Sequence, residues 1–348
     1  MSADVDALIA KMKSASSPLR DVLSEMHSRY HADDSGEVAT YIPELARTDP
    51  RWFGICIATV DGQVFEVGDS RQHFTLQSVS KPFMYGLALE DHGPNYVLSK
   101  VGVEPSGDAF NAIVLDEKSN RPFNPMVNAG AIATADMVKG MNNIERTRRM
   151  MEMFGRYFGR PASIDTSVFM SERSTGNRNR AMAYLMLNAG MIAGPVDETL
   201  ELYFNQCSVL VSARDLAVMG ATMANRGLNP ITKERAIDER YIKYLLSIMY
   251  TCGMYDYAGE WAYRVGMPAK SGVGGGIVAV VPGKLGVGIF SPKLDEKGNS
   301  VRGVRFCTEF SERFGLHVFD PNSGDDALGK LMRGGRAASA PRPAIKAS

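Results

Sequence analysis

The stretch Gln77-Ser78-Val79-Ser80-Lys81-Pro82 sets a serine three residues ahead of a lysine, with a proline directly behind. At that spacing a hydroxyl and an amine share one face of a helical turn. Pro82 fits the first turn of a helix, where an amide hydrogen has no intrahelical partner. Phe83, Leu87 and Ala88 continue the helical pattern to a stop at Gly93-Pro94. Ser78 is therefore expected at a helix N-terminus, whose positive end favours negative charge developing beside it. A serine hydroxyl is a weak nucleophile without a nearby base. Lys81 can be that base only if burial or a neighbouring positive charge lowers its pKa. The spacing alone is weak, since about one Ser-x-x-Lys arises by chance in a chain of this size.

Further along, Lys270-Ser271-Gly272 brings a second lysine, expected on a strand beside the serine helix as a supporting charge. Gly272-Val273-Gly274-Gly275-Gly276 then strips the backbone nearly bare, so that amide hydrogens can approach an oxyanion. Around these two motifs the strand signals fall at both ends of the chain. Residues 53–60, a tight Asp61-Gly62 turn and residues 64–67 read as one hairpin. Residues 273–281, Pro282-Gly283 and residues 285–290 read as another, followed by a helix over 301–314 that closes at Gly315.

Between them, residues 95 to about 240 are rich in Met, Asn and Gly and mostly helical in pattern, as at 131–141, 143–154, 179–193 and 213–225. Residues 3–30 show helical spacing as well, through Leu8, Met12, Leu19, Leu23 and Met26. Strands, helical block, strands and helix, in that order, predict an α+β fold: one antiparallel sheet flanked by helices, with an inserted, mostly helical lobe. The expected catalytic unit covers residues 1–320, its sheet lobe at about 30–90 and 240–320 and its helical lobe at about 91–239. After residue 320 the composition falls to Gly, Ala, Pro, Ser, Arg and Lys, so 321–348 is expected to be a disordered tail.

Composition narrows the function. Hydrophobic residues make up 45% of the chain and charged ones 22%, as in a soluble globular protein with a large core. With 39 basic and 39 acidic residues, nothing calls for nucleic acid or an anionic membrane as partner. Cys56, Cys207, Cys252 and Cys307 are scattered and read as reduced, buried thiols. His27 and His31 stand at metal-ligand spacing but lack a third ligand, so a solvated helix end is the better reading and no metal is expected. The acidic start, Met1 to Asp6, is unlike a secretory signal, and the longest apolar run is broken by Pro282 and Lys284. A cytoplasmic protein is expected.

Other polar clusters surround the two lysine motifs in sequence. Tyr41 lies in Tyr41-Ile42-Pro43-Glu44-Leu45-Ala46, and Asn128 opens an apolar helix within Asn124-Pro125-Met126-Val127-Asn128-Ala129-Gly130. Glu172 and Asn179 fall in a run of acid, amides and arginines from Ser171 to Ala181. Tyr203 and Tyr255 each sit in a polar-aromatic run, Tyr203 to Ser208 and Thr251 to Asp256. Taken singly, each could be an ordinary core or surface group: Glu172 a solvated acid, the tyrosines core aromatics with satisfied hydroxyls.

In this order the blocks resemble the serine-dependent glutaminases, a family of β-lactamase/transpeptidase-like fold, over roughly residues 20 to 318. The resemblance implies deamidation of L-glutamine to L-glutamate and ammonia, without a cofactor, in a homotetramer. It makes Ser78 the acyl nucleophile and Lys81 its base, with Tyr41 and Tyr255 against the nucleophile as proton-relay groups. It gives Asn128, Glu172, Asn179 and Tyr203 to the substrate, and the Ser78 and Val273 amides to the oxyanion. Glu37 departs from the family, which usually has a basic residue at that place. The roles are chemically apt: Glu172 can pair with an α-ammonium while Asn128, Asn179 and Tyr203 donate to an α-carboxylate. Two rivals are a β-lactam hydrolase of the same reaction class and a catalytically idle amino-acid sensor.

Overall fold

Short apolar runs bounded by turn residues build the central sheet of this computed structural model, which describes residues 18–107, 111–320 and 327–333. A short strand β1 (Glu37–Val38) comes first, then β2 (Gly54–Thr59) and β3 (Val64–Gly68) as the first hairpin. Next come β4 (Phe74–Thr75) and β5 (Leu210–Val211), which pair with each other. The later chain adds β6 (Ala269–Ser271), β7 (Gly276–Val281), β8 (Leu285–Phe290) and β9 (Lys293–Leu294). Five of these strands form the main sheet in the order β3-β2-β8-β7-β6, every neighbour antiparallel. The first hairpin thus docks on the last, and the sheet is assembled from both ends of the chain as the signals predicted.

Every residue of β2, β7 and β8 is buried, because helices cover both faces. On one face Ile55, Ile57, Ile277, Ala279, Val287 and Ile289 join Leu19, Leu23, Phe306 and Phe310, from the helices Pro18–His31 and Val301–Phe314. Cys56, Ala58, Val278 and Val280 point the other way, into the core shared with the helical lobe. There the helix Ala213–Ala224 lies flat on β8, since a Cβ at Gly286 or Gly288 would collide with its backbone. That helix falls within the stretch read as the inserted lobe, yet it forms a layer of the sheet. The architecture is the α+β, β-lactamase-like one that the resemblance implied.

Local details differ from expectation in instructive ways. The first hairpin turns on three residues, Val60-Asp61-Gly62: the Gly62 amide bonds the Thr59 carbonyl at 3.0 Å and only Gly62 has positive φ. The helix after the serine does break at Gly93, but a further segment continues through Pro94 to Lys100. Among the described residues six helices were not singled out in the sequence: Pro43–Ala46, Thr166–Thr175, Val196–Cys207, Glu239–Cys252, Ala258–Arg264 and Ala327–Arg333. His31 is exposed as expected, but His27 is half-buried: its ring stacks on Phe53 at 4.7 Å and its Nε2 meets the Phe53 carbonyl at 2.9 Å.

Residues 3–17 of the expected N-terminal helix lie outside the described residues. So does most of the expected disordered tail, but Ala327–Arg333 within it is helical and buries Leu328 in the core beneath the Pro18–His31 helix. An apolar Leu328-x-x-Leu331-Met332 pattern was hidden in a composition that reads as disordered overall. All four cysteines are free and buried. Among the described residues no helix is long and apolar enough to cross a membrane.

Candidate active site

The serine turn is held from behind. The β4–β5 pair anchors the chain before it, and the Leu76 amide bonds the Val209 carbonyl at 2.9 Å. Gln77 then adopts left-handed φ (49°), which swings the chain into a 3-10 turn over Gln77–Ser80. The α-helix starts at Lys81, one turn later than expected. A 3-10 turn eclipses side chains three apart, so Ser78 and Lys81 stack more closely than in an α-helix. Ser80 Oγ locks the turn by donating to the Gln77 carbonyl at 2.7 Å and accepting from Gln206 Nε2 at 3.1 Å. The glycine run presses on this turn: a Cβ at Gly272 would sit 3.0 Å from the Leu76 carbonyl oxygen.

Lys81 is 1% exposed. Its Nζ donates to the Met126 carbonyl at 3.0 Å and to Asn128 Oδ1 at 2.7 Å. Burial pushes the amine down to about 7. The acceptor pair is itself built: Asn124 Oδ1 accepts from the Met126 and Val127 amides at 2.9 and 3.2 Å, turning the Met126 carbonyl toward the lysine. Asn128 is the first residue of its helix, Asn128–Asp136.

Tyr255 takes left-handed φ (53°) in a short 3-10 turn, and its buried hydroxyl lies against the Ser78 side chain and the Val273 backbone. Burial raises its pKa and keeps it a neutral phenol. Lys270, on β6, has no exposed surface; its Nζ donates to the Ser271 carbonyl at 2.6 Å and lies 4.1 Å from the centre of the Tyr255 ring. Burial, and then the charge of Lys81, push Lys270 well below its ordinary pKa. Its amine is a packed donor under Tyr255, and burial works against the positive charge expected there from the sequence.

In front of Ser78 opens a cavity of about 250 Å³ whose wall includes Tyr41, Ser78, Asn128, Glu172, Asn179, Tyr203 and Val273. Glu172 comes from the helix Thr166–Thr175 and Asn179 from Asn177–Asn188, joined at Gly176, where a Cβ would meet the Phe204 ring at 2.6 Å. Asn128 Nδ2 donates to Asn179 Oδ1 at 3.3 Å. Burial raises the Glu172 carboxyl, opposed by hydrogen bonds from Tyr41 and Gln77.

The Tyr41 ring is half exposed, but its hydroxyl is enclosed, 2.7 Å from Gln77 Oε1 and 2.8 Å from Glu172 Oε1. Its bonds run to the acid end of the cavity, where the sequence placed it against the nucleophile. Tyr203 is buried and hydrogen-bonded to Cys207, a thiol raised by burial and lining the same cavity. Gln77, Asn124 and Cys207 were not proposed as site residues from the sequence. Of these only Gln77 carried a signal, its place next to the serine.

One cavity therefore joins a hydroxyl with a buried amine and a phenol beside it, a carboxylate at the far end, and amides between. Such an arrangement can attack a carbonyl while it holds a zwitterion. The family profile described as glutaminase matches residues 36–319. A glutaminase of Microcystis aeruginosa is 64% identical over 303 residues, spanning 87% of this chain and 90% of the relative. Among solved structures, the probable glutaminase ybaS superposes with TM-score 0.85 at 40% identity, over 87% of this chain and 98% of that one. Mglu in its glutamate form gives TM-score 0.84 at 43% identity, over 87% and 70%.

Proposed function

The chain belongs to the glutaminase family of hydrolases, and we propose that it hydrolyses L-glutamine to L-glutamate and ammonia through a glutamyl ester on Ser78. The observation that carries this reading is the Lys81 amine, buried and held at about 7 one turn from a serine in the cavity wall. A neutral amine has two hydrogens and one lone pair. Met126 and Asn128 accept the two hydrogens, which leaves the lone pair for the Ser78 proton.

Ser78 Oγ then bonds to the side-chain carbonyl carbon, with the Ser78 and Val273 amides as donors to the oxyanion. The C–N bond breaks and the serine proton reaches the leaving nitrogen through Lys81 or Tyr255, giving neutral ammonia. Water attacks the ester, the Ser78 bond to carbon breaks, and the serine regains its proton. Loss of one oxyanion donor would cost about 10²–10³ in turnover. Glu172 takes the α-ammonium; Asn179, Tyr203 and the second N–H of Asn128 Nδ2 take the α-carboxylate. A relative 43% identical that was solved in its glutamate form supports a pocket for the product amino acid.

The test is Ser78→Ala assayed at saturating glutamine. Ammonia release should fall to background, and near-wild-type release overturns the mechanism. The family resemblance also supports a cytoplasmic homotetramer, consistent with the exposed Tyr184, Leu185 and Leu187 on one helix. Light scattering on the eluted protein would read four subunits or refute that assembly.

A further inference from the structure

Behind Tyr255 lies a second cavity of about 240 Å³, nearly as large as the one in front of Ser78. Buried Asn124, Met126, Cys252 and Tyr255 form its floor, and Thr251 and Gly259 stand exposed at its mouth. Among the described residues none lines both cavities, yet the groups proposed to react stand between them. Val127 faces the rear cavity and Asn128 the front one. Tyr255 lines the rear while its hydroxyl lies against Ser78. The Lys81 amine spans the wall, from the Met126 carbonyl to Asn128 Oδ1.

The substrate orientation proposed above, on which this inference rests, puts the amino-acid head at Glu172 and the amide nitrogen against that wall. After acylation the glutamyl group still fills the front cavity. Ammonia must leave, and one water must reach the ester carbon, before the group can depart. We propose that the rear cavity is the passage for these two small polar molecules, ammonia outward and water inward past Tyr255. The balance is simple: the nitrogen lost from the carbonyl carbon departs as NH₃, and the oxygen gained there arrives as H₂O.

Gly259 allows the passage to be plugged, because a Cβ there meets nothing within 4 Å. Gly259→Phe should lower kcat by about tenfold or more with KM within about twofold, while Gly259→Ala stays at the wild-type value. Gly259→Cys capped with a benzyl methanethiosulfonate should lose turnover to the same extent and regain it on reduction with dithiothreitol, wild-type protein treated alike serving as the blank. The capped variant is compared with itself, so misfolding of the Phe variant does not decide the outcome. Turnover within about twofold of the uncapped or wild-type value in both bulky forms overturns the passage. If Ser78→Ala is inactive and the plugs are harmless, only the passage fails; if Ser78→Ala is active, the acyl-serine reading fails by itself.

Discussion

Burial alone lowers the Lys81 amine far enough for the base role proposed for it. Its ordinary amine would be almost wholly protonated at neutral pH, and desolvation brings it to about 7. kcat/KM for glutamine should therefore rise with pH through an apparent pKa near 7, and a profile flat from pH 6 to 9 would remove Lys81 as the base. Folding carries the opposite side of this shift. Between pH 7 and the ordinary lysine value the unfolded chain binds a proton that the folded one does not, so stability climbs with pH in that window. Lys81→Met should flatten part of that climb in denaturant titrations, leaving the share due to Lys270, which is depressed in the same direction. Glu172 is held at the other end of the cavity by Tyr41 and Gln77. Glu172→Gln removes a charge-assisted bond and should raise KM about 10–100-fold while kcat falls far less. An unchanged KM would move the α-ammonium elsewhere.

Among the elements, the hairpins were readable because apolar runs and the turn residues between them are local properties. Ile55 and Ile57 against Cys56 and Ala58 already divide two faces in the sequence. The helix Ala213–Ala224 was readable as a helix, but its seat on the sheet was not. That seat depends on Gly286 and Gly288 lying opposite Ala213, Ala217 and Ala221, residues far away in the chain. Gly288→Val should cost about 3 kcal/mol or more, because the clash is with helix backbone that cannot rotate away. Gly283→Ala, at a turn with φ 73° and open space around it, should cost only about 1 kcal/mol for the left-handed backbone. Thermal denaturation of the two variants side by side checks the contrast; equal losses would mean that the helix yields. The 3-10 start of the serine helix was illegible because Gln77 has no sequence mark for a left-handed φ, and neighbouring contacts impose it.

For the whole molecule, the five-stranded sheet separates two tasks. One face carries the helical lobe and the cavity; the other is closed by the helices Pro18–His31, Val301–Phe314 and Ala327–Arg333. Deleting residues 321–348 removes buried Leu328 and should lower stability by about 2 kcal/mol. It should leave kcat/KM within about twofold, since that helix is on the far face; a larger loss of activity would show that the two faces are coupled. The sequence by itself determined the family and the fold class, because spacing, turn residues and ordered motifs are written along one dimension. It marked Ser78, Lys81, Asn128, Glu172, Asn179, Tyr203 and Tyr255 without saying how they meet. Only the tertiary structure decided that Tyr41 serves Glu172, that Lys270 is a packed donor, and that a second cavity backs onto Tyr255. Those facts depend on burial and on contacts between segments up to 200 residues apart, such as Tyr41 with Glu172 across 131 residues and, on the order of 200 apart, Gly272 against Leu76. The Lys81 shift has the same origin: a lysine is strongly hydrated in the chain and becomes a base only where the fold takes its water away.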